Sequence, residues 1–510
     1  MKKTLFFAFL TLSILAVFCA CGNGTKKGKS SGDTVIVGIT NDMDSLDPHK
    51  AVAAGTREVL YNIFDGLVKA DENGIMQPAV AEKYEISEDA KTYTFTLRPG
   101  VKYHNGNEVK PEDVIYSLKR VAGKLDENDI KIVSAFSVIE DISQETGDDK
   151  TKIVVKLSEP NTELIYYFDA AIIPADYKDQ ATKPVGCGPF KLVSYSANEK
   201  IELERNDDYY GTKPSLKSAT FKIYKSVDDA FMELKAGKID VFPYLSFDQT
   251  EQLGDEFTIE VGQQSLAEGL YLNNEYGPLK DAKVRQALSY AVDYAEIDKI
   301  VTGGVSHVLK TGMFPSFKEY YNSDTENSYA YNVEKAKELL KEAGQENLEL
   351  EITIPNNYQL HISVAEIIVD QLKKAGVKAT IKQVDWPTWL SDVYQGRKYQ
   401  ATVIALDATM APGDVLRYFY EGHKSNFVNF NNKEFNELYE KAMAATDQAE
   451  KTKYYKEAQT VLTENAASVW LMSPSIMVAV KKEIKGYTFY PIYVQDLSKL
   501  SIEKEESMEE

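Results

Sequence analysis

The first hydrophobic pattern in the chain is a short apolar run at its start. Lys2 and Lys3 precede an apolar stretch over residues 5–18, and Ala20 then stands before Cys21. A run of about fourteen residues suits the core of a signal peptide and is shorter than the roughly 20 residues that span a bilayer. The pattern predicts a signal peptide over residues 1–20.

The residues around Cys21 resemble a bacterial lipobox, in which the cysteine is acylated and becomes the first residue of the mature protein. This resemblance implies lipid attachment at Cys21, and more than one acyl chain gives a stable anchor. Residues 22–33 are rich in Gly, Ser and Lys and contain no apolar residue, so a flexible tether is predicted over residues 21–33. An ordinary secretory signal with an incidental cysteine is the alternative.

Beyond residue 33, stretches with a period of two alternate with stretches of helical period, which predicts a mixed α/β fold. Strands are predicted at residues 34–39, 84–97, 152–157, 201–205, 221–224, 350–354, 379–384, 401–406 and 468–472. Helices are predicted at residues 55–68, 111–120, 227–235, 282–301, 360–375, 386–395, 433–444 and 448–465. The order strand, helix, strand over residues 350–384 predicts a βαβ unit with two parallel strands.

Composition narrows the class of protein. A chain of 510 residues is too long for one hydrophobic core and is expected to form about three domains. With 43% hydrophobic and 27% charged residues it has the profile of a globular protein, and its net charge of −20 disfavours nucleic acid as a partner. Two α/β lobes with a ligand cleft between them are the natural architecture, because ligands bind at strand carboxyl ends and between domains.

Cysteine and histidine usage argues against catalysis and against a metal or other cofactor. Of the 3 cysteines, Cys19 leaves with the leader and Cys21 is acylated, so Cys187 has no partner for an intramolecular disulfide. Cys187 lies between two glycines and is interpreted as a small residue at a tight turn; the alternative, a nucleophile, lacks a nearby histidine. The 5 histidines are not clustered, and no HExxH, paired CxxC, GxxxxGK[ST] or GxSxG motif occurs.

A series of motifs along the chain resembles the family 5 extracytoplasmic solute-binding proteins, which include oligopeptide-, dipeptide- and nickel-binding lipoproteins of ABC importers. The motifs occur in family order and cover nearly the whole mature chain. They are AVAEKYEISED at 79–89, YTFTLRPGVKYHNG at 93–106, PEDVIYSL at 111–118, GCGPF at 186–190, ERNDDYYG at 204–211, AGKIDV at 236–241 and VRQALSYAVD at 284–293.

The resemblance implies an α/β, two-lobed periplasmic-binding-protein-like fold (type II, cluster C) with an additional inserted domain. Domain I is expected to be discontinuous, domain II to be the insertion, and domain III to form the second lobe. Their expected limits are residues 34–70, 177–263 and 475–510 for domain I, 71–176 for domain II and 264–474 for domain III.

The resemblance also implies a monomeric, lipid-anchored, extracytoplasmic binding protein. It is expected to capture short peptides between the lobes and deliver them to a membrane permease of the ABC type. A nickel chelate or another small solute is the alternative cargo. From a different class, an extracytoplasmic hydrolase or an adhesin on the same scaffold stays open, because a fold does not fix a function.

Two positions compete for the ammonium group of a peptide. In peptide-binding relatives an aspartate follows the strand that corresponds to residues 401–406, and Asp407 stands there. An ungapped match counted back from Asp414 places Thr409 at that position instead. The structural alternative for Asp407 is a helix-capping carboxylate after the strand.

Other cleft positions are implied by the same resemblance. Arg417 is a candidate for a ligand carboxylate, because a guanidinium binds that group bidentately; the alternative is a residue on the surface of a helix. The remaining candidates are Tyr418, Ala54, Gly55, Thr56, Cys187, Gly188, Tyr271, Asn273 and Asn274.

Overall fold

The computed structural model describes residues 33–503, with the exception of 148–149, 264, 408 and 493. The predicted signal peptide, Cys21 and nearly all of the predicted tether lie outside the described residues. Within the described residues, no helix is both long enough and apolar enough to cross a membrane.

The strands of the described chain are numbered in chain order. They are β1 Thr34–Ile39, β2 Val68–Ala70, β3 Met76–Pro78, β4 Ala81–Ile86, β5 Thr92–Leu97, β6 Ile139–Gly147, β7 Lys150–Leu157, β8 Phe190–Ser196, β9 Lys200–Arg205, β10 Ser218–Ile223, β11 Val241–Phe242, β12 Phe257–Gln263, β13 Leu266–Leu272, β14 His307–Val308, β15 Glu349–Pro355, β16 Lys378–Val384, β17 Ala401–Asp407, β18 Val469–Ser473, β19 Ser475–Lys481, β20 Ile484–Lys485 and β21 Ser501–Ile502.

The helices follow the same convention. They are α1 Ala54–Leu60, α2 Pro111–Val121, α3 Val227–Lys235, α4 Phe247–Thr250, α5 Ala282–Ala291, α6 Tyr294–Thr302, α7 Val333–Glu342, α8 Gln359–Lys374, α9 Trp386–Thr388 with a π-helical continuation over Trp389–Gln395, α10 Pro412–Leu416, α11 Lys433–Ala444 and α12 Gln448–Glu464.

Sheet A is built from three separate stretches of the sequence. Its seven strands have the order β12-β19-β11-β1-β10-β9-β8. The β-branched strand β1 is parallel to β10 and β11, while β19, near the end of the chain, lies antiparallel between β11 and β12. Val35 and Val37 point from β1 into the core of this sheet and are buried. Burial of such β-branched side chains favours the strand conformation.

Sheet B has six strands in the order β14-β18-β13-β17-β15-β16. β15 is parallel to both β16 and β17, so the predicted βαβ unit over β15, α8 and β16 is confirmed. Two hydrophobic cores cover the sheet, one containing Tyr271 and Trp389 and the other containing Leu270 and Ile352.

Sheet C is antiparallel, with the order β4-β5-β7-β6. Tyr93 and Phe95 from β5 are buried in its core, and the Phe95 ring meets that of Phe168 edge-on at 4.7 Å between centroids. Helix α2 packs on β6 and β7. It begins with Pro111, and its first turn carries Glu112 and Asp113, as the helix dipole favours.

A buried ion pair joins sheet C to the segment that follows β1. The Arg120 guanidinium of α2 donates to both carboxylate oxygens of Asp47, at 2.9 and 2.8 Å. The Arg120 side chain is 6% exposed and the Asp47 side chain is 5% exposed. Beside them the Nε2 atom of His49 lies 2.8 Å from the Ala171 carbonyl oxygen. Burial lowers the pKa of His49 to about 4, which keeps the imidazole neutral.

Three predicted elements differ from the structure. The strand predicted over 84–97 is two strands, β4 and β5, joined by a turn in which Ala90 has φ 55°. The helix predicted over 55–68 ends at Leu60, because the chain then turns so that Gly66 can approach the backbone of Asp169. A Cβ atom on Gly66 would lie 2.4 Å from the carbonyl carbon of Asp169.

The helix predicted over 282–301 is two helices, α5 and α6. Val292 between them is extended, with φ −97° and ψ 125°. The Asp293 side chain then accepts a hydrogen bond from the Glu296 N–H and caps α6. The N-cap satisfies a backbone group that the first turn of a helix leaves free, which stabilises the break.

Candidate functional site

The parallel strands of sheet B end together at one edge, which carries a group of polar and aromatic residues. β15, β16 and β17 end at Pro355, Val384 and Asp407. In α/β sheets, ligands bind beyond the carboxyl ends of such strands. Asp407, the first candidate for the ammonium group, therefore lies where a ligand site is expected.

Aromatic residues and a histidine complete the sheet B edge, and none of them was predicted. The Trp386 and Trp389 rings are stacked at 5.1 Å, and Tyr358, which is 43% exposed, meets Trp386 at 5.6 Å. The Nδ1 atom of His361 lies 2.9 Å from a carboxylate oxygen of Glu268, which is fully buried. The carboxylate fixes the orientation of the imidazole ring. Tyr358 comes shortly after the predicted strand at 350–354, and Trp386 comes shortly after the predicted strand at 379–384. Their positions after strand ends are the signal that could have identified them.

The parallel strands of sheet A also end at one edge, next to the start of α1. Asp44, in the loop after β1, accepts hydrogen bonds from the N–H groups of Val52 and Ala53, at 2.7 and 2.9 Å. The Asp44 N–H donates to the Thr56 hydroxyl at 3.0 Å. Thr56 is buried and holds this loop on α1.

The other two candidates in this loop lie nearer the surface. Ala54 is exposed, and Gly55 is half-buried. A Cβ atom on Gly55 would lie 3.1 Å from the Cβ atom of Asn41, so this glycine permits a close approach of two loop segments.

Charged groups from all three sheets act on one another between these edges. The exposed Lys131 follows α2 of the sheet C region. Desolvation and the nearby Arg57 guanidinium lower the pKa of the Lys131 ammonium, while Asp44 and Asp407 oppose that shift. Asp407 thus lies in the same electrostatic neighbourhood as Lys131, Arg57 and Asp44. Lys131 thus experiences charges from the α1 segment and from Asp407.

The Asp407 carboxylate is open to a ligand. The Asp407 side chain is exposed to solvent at the end of β17. Beside it, burial and then the Asp407 charge raise the pKa of Tyr418 to about 12. Tyr418 itself is buried and packs edge-on against Phe427. Asp407 does not cap a helix in this structure, which is the role that the structural alternative gave it.

Thr409 and Arg417 are engaged with Asp414. The Thr409 and Tyr167 hydroxyls both donate to the second carboxylate oxygen of Asp414. Arg417 donates to the first at 2.5 Å. Arg417 is therefore already paired with an acid on its own helical turn, and a ligand carboxylate would have to compete with Asp414 for it.

Cys187 and Gly188, two of the candidates from the sequence, are buried inside the protein. The Cys187 side chain is fully buried, with its sulfur 3.9 Å from the Asp65 carbonyl oxygen. Burial raises the pKa of the thiol well above its ordinary value, which disfavours the nucleophilic thiolate. The Gly188 N–H donates to the Ile63 carbonyl oxygen at 2.9 Å.

The close packing of the glycines around Cys187 leads to a prediction about stability. A Cβ atom on Gly186 would lie 2.1 Å from the Ile63 carbonyl oxygen. Gly186→Ala is therefore expected to lower the free energy of unfolding by about 1–3 kcal/mol, since the backbone has to move. Urea denaturation followed by circular dichroism measures this. Gly277→Ala is the matched control, because a Cβ atom there meets nothing within 4 Å; equal stability of the two variants would contradict the prediction.

Tyr271, Asn273 and Asn274 lie at the far end of β13 from Asp407. Leu266 at the start of β13 is opposite Asp407, and Asn273 is seven residues further, roughly 24 Å along a strand. The Tyr271 hydroxyl donates to the Ala267 carbonyl oxygen at 2.7 Å inside the core.

The two asparagines tie loops together at that end. Asn273 donates to the Tyr399 carbonyl oxygen at 2.8 Å, and Asn274 donates to the Val428 carbonyl oxygen at 3.0 Å. These three candidates therefore lie away from the end of β17 that carries Asp407. Their polar groups satisfy backbone carbonyls, which is a structural role.

A small cavity of about 30 Å³ lies where the chain crosses between sheets A and B. Next to it, the Tyr244 hydroxyl donates to the Glu58 carboxylate. Burial raises the pKa of Glu58 to about 7. The cavity is lined by Tyr244, Gln263, Ser265, Ile476, Tyr487, Thr488, Phe489, Tyr490, Pro491, Ile492, Val494 and Gln495. Sequence reasoning missed this aromatic segment, because residues 487–495 carry no regular periodicity.

Known proteins share this architecture. The family model for bacterial extracellular solute-binding proteins, family 5, matches residues 76–427. The dipeptide-binding protein of Escherichia coli (strain K12) is 30% identical over 467 residues, which cover 84% of this chain and 86% of that protein.

Two solved structures are similar over most of the chain. The substrate-binding protein CtaP of an ABC transporter from Listeria monocytogenes has a TM-score of 0.81 at 23% identity, covering 93% of this chain and 100% of that chain. The periplasmic binding protein DppA from Helicobacter pylori, in complex with the peptide STSA, has a TM-score of 0.74 at 25% identity, covering 92% and 98%.

The two α/β sheets and these likenesses define a two-lobed solute-binding protein, a class whose members bind their ligands and are not enzymes. The chain belongs to family 5 of the bacterial extracellular solute-binding proteins. The resemblance stated from the sequence motifs is confirmed, and so is the two-lobed α/β fold class.

Proposed function

We propose that this protein binds short peptides in the cleft between the carboxyl edges of sheets A and B and delivers them to an ABC importer. The observation that carries the proposal is the exposed Asp407 carboxylate in the electrostatic neighbourhood of Lys131 and Arg57. A short peptide is a zwitterion, so Asp407 can hold its ammonium group while the two cations attract its carboxylate. The relatives named for binding dipeptides support the choice of cargo.

The same proposal assigns the lobes. Domain I (34–70, 177–263 and 475–510) holds sheet A, and domain II (71–176) holds sheet C; together they form the first lobe. Domain III (264–474) holds sheet B and forms the second lobe. The chain crosses between lobes after β12 and before β19, where Gln263 pairs with Ser475, and these crossings serve as the hinge.

Closure over the ligand completes the proposed mechanism. Bringing the lobes together excludes water from the cleft and strengthens the charge interactions of Asp407 with the ligand. The importer then recognises the closed form, and a ligand favours that form only by its greater affinity for it.

We further propose that the mature protein is an extracytoplasmic monomer attached to the membrane, at the cell surface or on the periplasmic face, through acylated Cys21. The signal-like residues 1–20 and the polar segment that follows support this. Mass spectrometry of the N-terminal peptide tests it: a fatty-acylated cysteine is expected as the first residue, and an unmodified N-terminus elsewhere would contradict it.

Native mass spectrometry of protein purified without denaturation tests the cargo. We expect a one-to-one complex whose released ligand fragments as a short peptide, and a thermal shift when defined di- to tetrapeptides are added to the emptied protein. Release of a nickel chelate instead would replace the peptide assignment. Hydrolysis of the added peptide would contradict a binding function.

A further inference from the structure

Residues 162–168 form a short stretch beside sheet C. Its apolar side chains are buried in the sheet C core, and its polar side chains make their hydrogen bonds to the sheet B region. Its apolar residues Leu164, Ile165 and Phe168 belong to the core of sheet C. Its polar residues contact the sheet B region instead. Glu163 is 2% exposed, and its carboxylate accepts hydrogen bonds from the Gly413 N–H at 2.8 Å and the Tyr455 hydroxyl at 2.5 Å.

A lysine and the neighbouring threonine complete this contact. The Lys451 ammonium lies 3.6 Å from the Glu163 carboxylate, and Lys451 is 5% exposed. The Thr162 N–H and hydroxyl both lie 3.2 Å from the Met443 carbonyl oxygen, and the hydroxyl also reaches the Ala445 carbonyl oxygen at 3.1 Å. The side-chain hydrogen bonds and the ion pair of this stretch thus run from the first lobe to the second.

Burial of the Glu163 and Lys451 charges costs free energy. The pair therefore stabilises the contact between the two regions only when both charged groups are present. Desolvation raises the pKa of the Glu163 carboxyl and lowers the pKa of the Lys451 ammonium. In this structure each group depends on its partner, and separation of the two regions would return both groups to water. Removing one partner from such a pair leaves an uncompensated buried charge.

The contact lies far from the proposed hinge. Lys451 is near the start of α12, thirteen residues before Glu464, which is roughly 20 Å along a helix. The end of α12 leads into β18 and then to the crossing before β19. A rotation about the crossings therefore separates Lys451 from Glu163.

We propose that Glu163, with Gly413, Tyr455 and Lys451, is a latch that holds the two lobes closed and thereby sets the affinity for the ligand. This inference rests on the proposed binding function for the cargo, but the latch itself is a property of the chain without ligand. Its contribution is a shift in the equilibrium between open and closed forms, and the apparent affinity falls in proportion to the fraction of the closed form.

Lys451→Met tests the latch, because it keeps the length and apolar stem of the side chain and removes the charge. We expect the dissociation constant for a defined peptide to rise about 10- to 100-fold, with an increased radius of gyration of the full chain in small-angle scattering. Lys453→Met is the matched control, since Lys453 is two residues along the same helix and pairs with Glu457 at 3.9 Å on the surface.

A second variant guards against a folding defect. Tyr455→Phe retains the buried ring and removes only one hydroxyl donor to Glu163, so a rise of roughly three- to tenfold is expected. Unchanged affinity and unchanged radius of gyration in both variants would overturn the latch. If the parent binds no peptide, the proposed cargo fails, and the scattering of the ligand-free variants decides the latch alone.

Discussion

Arg120→Met is expected to lower the free energy of unfolding by about 3–5 kcal/mol, because it leaves the buried Asp47 carboxylate without its partner. Both oxygens of Asp47 accept from the Arg120 guanidinium in a site that is largely buried. Methionine preserves much of the apolar volume of the arginine side chain. The loss of unfolding free energy therefore measures the effect of removing the charge. Chemical denaturation monitored by tryptophan fluorescence and circular dichroism gives the value.

A surface ion pair provides the comparison for Arg120. Arg205 donates to Asp207 at 2.8 Å, with side chains 25% and 71% exposed. Arg205→Met is expected to cost less than about 1 kcal/mol, as exposed pairs do. Adding Asp47→Asn to Arg120→Met should recover part of the loss, because the stranded charge is then gone. Equal losses for the two arginine variants would show that burial of the Asp47 pair has no effect.

Asp407→Ala is expected to weaken binding of a short peptide by about 3–5 kcal/mol, because the peptide ammonium would be enclosed without a counter-charge. Isothermal calorimetry measures the difference. Asp392→Ala serves as the control, since Asp392 is a partly exposed carboxylate of the same lobe that lies 3.9 Å from Lys398. N-acetylation of the peptide, which removes its ammonium group, should weaken binding to the parent protein by a similar free energy. It should cause almost no further loss of affinity in Asp407→Ala.

Parental affinity in Asp407→Ala would remove Asp407 from the site. The ligand ammonium would then have to be held elsewhere, and Thr409 is the remaining candidate from the sequence. Thr409→Val separates the two possibilities, because it removes only the hydroxyl that donates to Asp414.

Local patterns were sufficient to predict the elements whose periodicity is strong. The predicted unit over β15, α8 and β16 matches within one residue at each end. The break between α5 and α6 had a local signal, since Asp293 precedes Glu296 by three residues as an N-cap does. The end of α1 had no such local signal in the sequence. It depends on the approach of Gly66 to Asp169, more than a hundred residues away in the sequence.

The candidate site was predictable only where it follows a strand end. Asp407 and the loop before α1 directly follow predicted strands, and the structure places them in one neighbourhood. Cys187 was interpreted as a small residue at a tight turn, and the glycines on either side of it pack closely on the backbone of Ile63. Lys131 comes from a segment without periodicity, and only the tertiary fold brings it near the charges of Arg57, Asp44 and Asp407.

The position of the last long strands constrains when the protein can fold. β19 lies between β11 and β12 in sheet A, and β18 lies between β14 and β13 in sheet B. Both strands come from residues 469–481 of a chain of 510. Until that stretch has emerged from the ribosome, each large sheet lacks an interior strand and exposes unpaired backbone groups. Neither sheet can reach its final pairing during synthesis of the first nine-tenths of the polypeptide.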